Sequence, residues 1–168
     1  MKIYKITGAS DYLGVSINTL KTLANNDNKG EKMSLDVSLV QKVWETEDFE
    51  TFTNREDKYY HGNITHNLNK MAGACGLYDV LWRPYWLSRT EFANYDEEME
   101  YESRCEIQAR QLIEPMEKGL KELKSNREKY EKYNSPNGWG MYEHFLPFVK
   151  EYLAACKKYP SLIVRADR

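Results

Sequence analysis

Two short polar segments carry the side chains best suited to binding or chemistry. In N-I-T-H-N, residues 63–67, polar side chains gather at a predicted helix start, where free backbone N–H groups and the helix dipole favour an anion. In N-G-W-G, residues 137–140, the glycines allow close backbone approach and the indole offers a face for stacking a base or ring. The two segments predict one partly open pocket for an anionic, nucleotide-like ligand. The candidate ligand-binding residues are Asn63, Thr65, His66, Asn67, Arg83, Asn137, Gly138 and Trp139.

The same residues also have a purely structural interpretation. Polar side chains at a helix start commonly cap it, and a tryptophan between glycines in a turn commonly fills a gap in the core. The sequence leaves both interpretations open.

No motif of a known enzyme class is present. The sequence has no nucleophile elbow, P-loop, paired-histidine metal motif or dinucleotide-binding glycine pattern. The cysteines are far apart and form no C-x-x-C pair, so we expect reduced, buried thiols at Cys75, Cys105 and Cys156. We therefore predict a protein that is not an enzyme and uses no metal and no cofactor.

Residues 57–168 are predicted to form an α-rich unit that positions the two polar segments. "KYYHGNI" (58–64) predicts a short strand, and a helix starting at Thr65 and stopping at Gly76 has one apolar face formed by Leu68, Met71, Ala72 and Cys75. After N-G-W-G another amphipathic helix is predicted, with an irregular first turn at Pro147. The final "YPSLIVRADR" predicts a strand that pairs with the first one and closes the unit.

The middle of this unit is less regular. Residues 85–103 show no sustained period and predict a solvated loop or the first turns of the next helix. From Arg104 to about Lys132 the sequence favours one long helix or two, because Pro115 should end or kink it.

The first 47 residues predict a compact three-helix unit. Thr7 can cap a first helix that ends at Gly14, and Ser16 can cap a second helix from about residue 17 to 25. A third helix is predicted over 35–47 from the spacing of Val37, Val40, Val43 and Trp44, and the charged residues 48–56 predict a linker. The polar face of the second helix would enter the DNA major groove with Ser16, Asn18, Thr19, Lys21 and Thr22.

Charge and composition set limits on partners and location. The formal net charge is −2, which is unlike the basic balance of most nucleic-acid-binding domains, although residues 1–34 hold five lysines and three acidic residues. The sequence has neither the apolar N-terminal stretch of a signal peptide nor a run long enough to span a membrane. We expect a soluble cytoplasmic protein with no membrane contact.

The N-terminal stretch resembles the helix-turn-helix of MerR-type and excisionase-type proteins over residues 3 to about 25. The pattern I-T-x-A-x-x-L-G-V-S-x-x-T-L is matched by Ile6, Thr7, Ala9, Leu13, Gly14, Val15, Ser16, Thr19 and Leu20. The resemblance implies a DNA-binding fold. The sequence departs from the family after Leu20, where those proteins have arginines and an aromatic residue and this chain has only Lys21, so a scaffold for dimerisation or protein contact is the alternative.

The second unit resembles an uncharacterised family of phage and prophage proteins over residues 57–168. The resemblance rests on N-I-T-H-N-L at 63–68, on N-x-x-N-G-W-G at 134–140, and on "LYDVLWRP" and "ACKKYP". It implies an origin in a mobile element and no particular reaction.

These observations predict a mainly α protein in which a small helix-turn-helix unit precedes an α-rich domain with a short two-stranded β element. Its parts are a helix-turn-helix domain (1–47), a linker (48–56) and a phage-type domain (57–168). The leading function is regulation of transcription through DNA, with a ligand- or protein-binding C-terminal domain and homodimerisation as an expected state. The alternative is an anti-defence protein that inhibits a host immune protein, for example a CRISPR effector, or sequesters a nucleotide immune signal.

Overall fold

A computed structural model describes residues 34–48 and 51–168, and side chains at 34–43 and 55–168. A long hairpin of β1 (Ser34–Asp48) and β2 (Thr51–Thr65) comes first, followed by a 3₁₀ turn at His66–Leu68. The helices are α1 (Asn69–Ala74), α2 (Tyr78–Trp82), α3 (Tyr95–Arg104), α4 (Ala109–Ser125), α5 (Arg127–Glu131) and α6 (Tyr142–Lys158), with a second 3₁₀ turn at Pro84–Leu87 between α2 and α3. A last strand, β3, covers Ile163–Asp167.

The strands form one antiparallel sheet in the order β2-β1-β3. β1 pairs with β2 along its whole length, whereas β3 pairs only with residues 36–40 of β1. Leu35, Val37 and Leu39 alternate along β1 and are completely buried against the helices. A register shift between Leu39 and Val40 allows Val40 to be buried as well.

The prediction of a mainly α fold is wrong, because residues 35–47 form a strand and not a third helix. Their valines recur at helical spacing, but the alternation of Leu35, Val37 and Leu39 determines which side chains face the core. The β-branched valines also favour the extended backbone. The described chain is therefore a mixed α and β structure with a three-stranded sheet.

Both predicted strands of the C-terminal unit exist, but their pairing differs from the prediction. Residues 58–64 belong to β2 and the C-terminal segment forms β3, yet β1 lies between them. The described residues of the segment predicted as a linker are strand, since Asp48 ends β1 and residues 51–56 belong to β2. The division into two domains stays a prediction.

The helices agree with the sequence in their positions and differ in detail. The predicted helix after Thr65 forms as a 3₁₀ turn followed by α1, and its apolar residues Leu68, Met71, Ala72 and Cys75 are buried. Within the stretch predicted as loop or helix start, α3 is a separate helix, capped by Asn94 Oδ1, which accepts the N–H of Glu97 at 2.9 Å. Pro115 lies inside α4, which continues on both sides of it and is followed by α5. Pro147 is likewise inside α6.

One continuous core joins the sheet to the helices. The largest completely buried side chains include Trp82, Tyr130, Tyr152 and Phe145, and α4 packs against α6. Gly119 of α4 allows the closest approach, because a Cβ at this position would lie 2.4 Å from Cγ of Leu77. None of the described helices is both long and apolar enough to cross a bilayer.

The predicted helix-turn-helix lies outside the described residues. This applies to its two helices, to the following turn-rich segment, and to the candidate DNA-binding residues Ser16, Asn18, Thr19, Lys21 and Thr22. DNA binding by this segment stays a prediction.

Candidate binding site

The structure brings N-I-T-H-N and N-G-W-G into direct contact. A Cβ at Gly140 would lie 2.8 Å from Cβ of Asn67 and 3.2 Å from its carbonyl carbon, so the Gly140 backbone rests on Asn67. Only a residue without a side chain permits this approach, and the φ of +103° at Gly140 also favours glycine. The two segments, predicted from sequence to converge, are neighbours.

The loop that carries Trp139 is held by its own hydrogen bonds. Asn137 Oδ1 accepts the backbone N–H of Trp139 at 2.9 Å and the hydroxyl of Ser135 at 2.7 Å. Asn134 Oδ1 accepts the N–H of Tyr142, the first residue of α6, at 2.7 Å. Asparagine side chains thus replace missing backbone partners in the turn, which fixes the loop against α6.

Trp139 itself points into solvent. Its exposed fraction is 71%, the highest of the exposed large apolar residues in the described chain. The interpretation of Trp139 as a filler of the core is therefore wrong. The neighbouring Asn67 is also exposed, and its side-chain amide makes no hydrogen bond with any described residue.

The other polar residues of the first segment stabilise the fold. Asn63 Nδ2 donates to Asp36 Oδ1 across the hairpin at 2.7 Å, and Thr65 Oγ1 accepts the N–H of Asn67 at 3.3 Å. His66 Nε2 donates to the carbonyl of Ser34 at 3.0 Å. The ring of His66 also meets Trp82 edge-on, with centroids 6.2 Å apart. These contacts agree with the capping interpretation.

The local helix supplies little of the charge that an anion needs. The segment enters a three-residue 3₁₀ turn and then the six-residue α1, and an aligned dipole of this length is small. In addition, Thr65 already occupies the N–H of Asn67. Binding of an anionic ligand at this helix start stays a prediction, and the geometry adds no support to it.

Arg83 faces the interior. Its side chain is only 1% exposed, as is that of Glu98 on α3, and Nη1 of Arg83 lies 3.5 Å from Oε1 of Glu98. The guanidinium also lies over the ring of Trp86, 5.0 Å from its centroid. Arg83 therefore provides its charge to a buried ion pair and not to the surface that presents Trp139.

A polar network surrounds this ion pair. Glu98 Oε1 accepts from Tyr85 Oη at 2.8 Å and from Trp86 Nε1 at 3.0 Å. One turn further along α3, Glu102 accepts both Nη atoms of Arg168 at 2.7 Å, and Arg168 Nη1 also donates to the carbonyl of Trp82 at 2.6 Å. Burial raises the pKa of the nearby Tyr85 and Asp79.

This buried network was not identified from the sequence. The acidic run of residues 96–102 predicts a solvated loop or the first turns of the next helix, because charge runs usually face water. The available signal was the spacing of Glu98 and Glu102, which share one face of a helix, together with two distant arginines. Such spacing alone does not distinguish an inward face from an outward one.

Two clefts on the described surface lie away from these segments. The larger, of about 650 Å³, lies beside the middle of β1 and the start of β3 and includes Lys42, Glu106 and Arg110 in its lining. The smaller, of about 360 Å³, lies between α4 and α6. Neither cleft is lined by a predicted ligand-binding residue. The indole of Trp139 is exposed to solvent and belongs to neither of these two clefts.

The cysteines of the described chain are free thiols. Burial raises the pKa of Cys75 and Cys156 to about 12, which keeps both as neutral, unreactive thiols. Cys105 is half-buried, and all three cysteines are free. Among the residues the structure describes, no group of three or more His, Cys, Asp or Glu side chains is placed to hold a metal ion.

No protein-family model, curated protein or solved structure matches the chain.

Proposed function

We propose that this chain is a non-enzymatic binding protein whose C-terminal part contacts a partner protein through Trp139. The observation that carries the proposal is an indole with 71% exposure on a loop that is fixed by hydrogen bonds and rests on Asn67. A tryptophan held in place loses little conformational freedom on binding and is a common centre of protein interfaces. The free amide of Asn67 next to it provides a polar contact that sets orientation.

The first experiment uses Trp139→Ala, with Tyr95→Ala as the matched control. Tyr95 is also an exposed aromatic residue, 40% exposed, and lies on α3. We expect Trp139→Ala to change the free energy of unfolding by less than about 1 kcal/mol, because an exposed ring buries little area. A core tryptophan would lose about 3–5 kcal/mol.

Binding is measured by affinity capture from bacterial lysate. We expect a partner band that the wild type and the Tyr95 variant retain and the Trp139 variant loses. A parallel fluorescence titration with nucleoside mono- and diphosphates and cyclic nucleotides tests the nucleotide-like ligand. Saturable quenching that depends on Trp139 would contradict a protein partner and would indicate a nucleotide as the ligand.

DNA binding by the N-terminal segment is the second part of the proposal. Its support is the helix-turn-helix pattern of residues 6–20 and the small positive balance of residues 1–34. We propose that Ser16, Asn18, Thr19, Lys21 and Thr22 contact DNA, and that dimerisation offsets the small number of cations. In a gel shift on the neighbouring promoter, Lys21→Glu should abolish the complex. Tight and salt-insensitive binding by that variant would contradict this assignment.

The alternative proposal is an anti-defence protein of a phage or mobile element, acting in the bacterial cytoplasm. Its support is the resemblance of residues 57–168 to phage and prophage proteins and the exposed Trp139 as a contact for a host immune protein. The two functions separate in the gel shift and in the identity of the captured partner. A captured immune protein, with no shifted DNA, favours the anti-defence role.

A further inference from the structure

The groove between α4 and α6 has an apolar floor and a basic rim. The two helices run antiparallel, since Tyr142 Oη at the start of α6 donates to the carbonyl of Leu123 near the end of α4 at 2.9 Å. The groove of about 360 Å³ is lined by Glu117, Leu120, Lys121, Lys124, Ser125, Leu153 and Lys157. Leu120 and Leu153 are 8% and 6% exposed and form the floor between the helices.

The charge of this groove is not balanced within the described chain. Lys157 Nζ pairs with Glu117 Oε1 at 2.6 Å, and the neighbouring Lys118 pairs with Glu114 at 2.7 Å on the adjacent face. Lys121 and Lys124, in contrast, are exposed and make no ion pair with any described residue. They are three residues apart on one helix face, where like charges repel each other.

We infer that this groove binds an acidic amphipathic helix of a partner protein. An apolar side chain of that helix fits between Leu120 and Leu153, and its carboxylates face Lys121, Lys124 and Lys157. A third helix in the groove of an antiparallel pair is a common mode of helix recognition. The opposite charges would also remove the repulsion between Lys121 and Lys124.

The lining favours an acidic protein segment over a nucleic acid. The groove has no aromatic ring on which a base could stack, and its cations are lysines without the planar fork with which arginine binds phosphate in a bidentate manner. Its leucine floor suits an aliphatic or aromatic side chain instead. This surface is formed by residues other than Trp139 and Asn67, so the inference does not depend on the proposed function.

The test uses the full chain and a defined probe. The probe is a fluorescently labelled synthetic peptide of about 15 residues with Leu at i, i+3, i+4 and i+7 positions and Glu elsewhere. The control probes are the same peptide with Lys in place of Glu, and a single-stranded oligothymidylate of similar charge. The variants are Lys121→Glu with Lys124→Glu, and the control pair Lys58→Glu with Lys132→Glu, two exposed lysines outside the groove that change the net charge equally.

We expect saturable binding of the acidic peptide at low salt that weakens by about 10-fold or more in the groove variant and changes by less than about 2-fold in the control variant. Circular dichroism should show equal helix content in all forms, because the changed side chains are exposed.

Equal weakening of peptide binding in both variants would show that only net charge matters and would overturn the inference. Tighter binding of the oligothymidylate, lost in the groove variant, would assign the groove to nucleic acid and overturn it as well. Light scattering also measures the oligomeric state. If the wild type is a dimer and only the groove variant is a monomer, a second copy of this chain occupies the groove, and the inference is overturned.

Discussion

The contact between Gly140 and Asn67 predicts a difference between two neighbouring glycines. Both have a positive φ, +78° at Gly138 and +103° at Gly140. Around Gly138 no atom lies within 4 Å of a built Cβ, whereas at Gly140 the Asn67 backbone and Cβ lie at 3.2 and 2.8 Å. The pair therefore separates backbone strain from steric overlap.

The size of each effect follows from these distances. Gly138→Ala should cost about 1–2 kcal/mol, the cost of placing a side chain in the left-handed region. Gly140→Ala adds an overlap with backbone atoms that no rotamer change relieves, and overpacking typically costs about 1–3 kcal/mol more. We therefore expect Gly140→Ala to lose about 2–5 kcal/mol of unfolding free energy.

Urea denaturation followed by circular dichroism measures both variants. We expect a clearly lower midpoint for Gly140→Ala than for Gly138→Ala, with equal slopes. Equal losses in the two variants would show that the loop does not rest on Asn67. The joined binding surface of Trp139 and Asn67 would then have no structural basis.

Two further predictions concern the interior of the molecule. Glu98→Gln should destabilise the fold by about 3–5 kcal/mol in urea denaturation, because it removes the buried carboxylate charge 3.5 Å from Nη1 of Arg83. Glu100→Gln on the exposed face of α3 should change stability by less than about 0.5 kcal/mol. A loss below about 1 kcal/mol for Glu98→Gln would contradict a stabilising Arg83–Glu98 pair. Since the pKa of Cys75 and Cys156 is raised to about 12, both stay protonated at pH 8, so Ellman's reagent should modify only Cys105 in the native protein and all three thiols in denaturant. Rapid modification of a second thiol in the native state would contradict this burial.

Local elements of the fold could be predicted best where a short sequence pattern is compatible with only one backbone conformation. The helix from Thr65 to Gly76 and the two strands at 58–64 and near the C-terminus could be predicted because caps, glycines and apolar spacing act locally. The approach of the two polar segments is expected only because their residue types suit one ligand, and the contact itself is long-range. β1 could not, because Val37, Val40 and Val43 satisfy a helical period as well as a strand with one register shift. The antiparallel pairing of β1 with β2 along its whole length, together with the pairing of residues 36–40 with β3, decides between them.

The candidate site shows a similar division. The types of residue in N-G-W-G indicated a surface for recognition or a core element, and only the packing around the loop showed that the indole is outside. The role of Arg83 could not be predicted, because its partner Glu98 lies in a segment whose charges resemble those of a solvated loop. Burial of a charge depends on which distant counter-charge the fold supplies.

The placement of β1 between β2 and β3 has a consequence for the order of folding. β2, the hairpin partner of β1, follows it almost directly in the chain. β3 is separated from residues 36–40 by most of the described sequence. Closing so long a loop carries an entropic cost that the hairpin does not have, and it can be repaid only when the chain up to Asp167 has been synthesised. During translation, the edge of β1 at residues 36–40 therefore stays unpaired until β3 has been synthesised. At this edge a strand of another molecule can pair with the nascent chain.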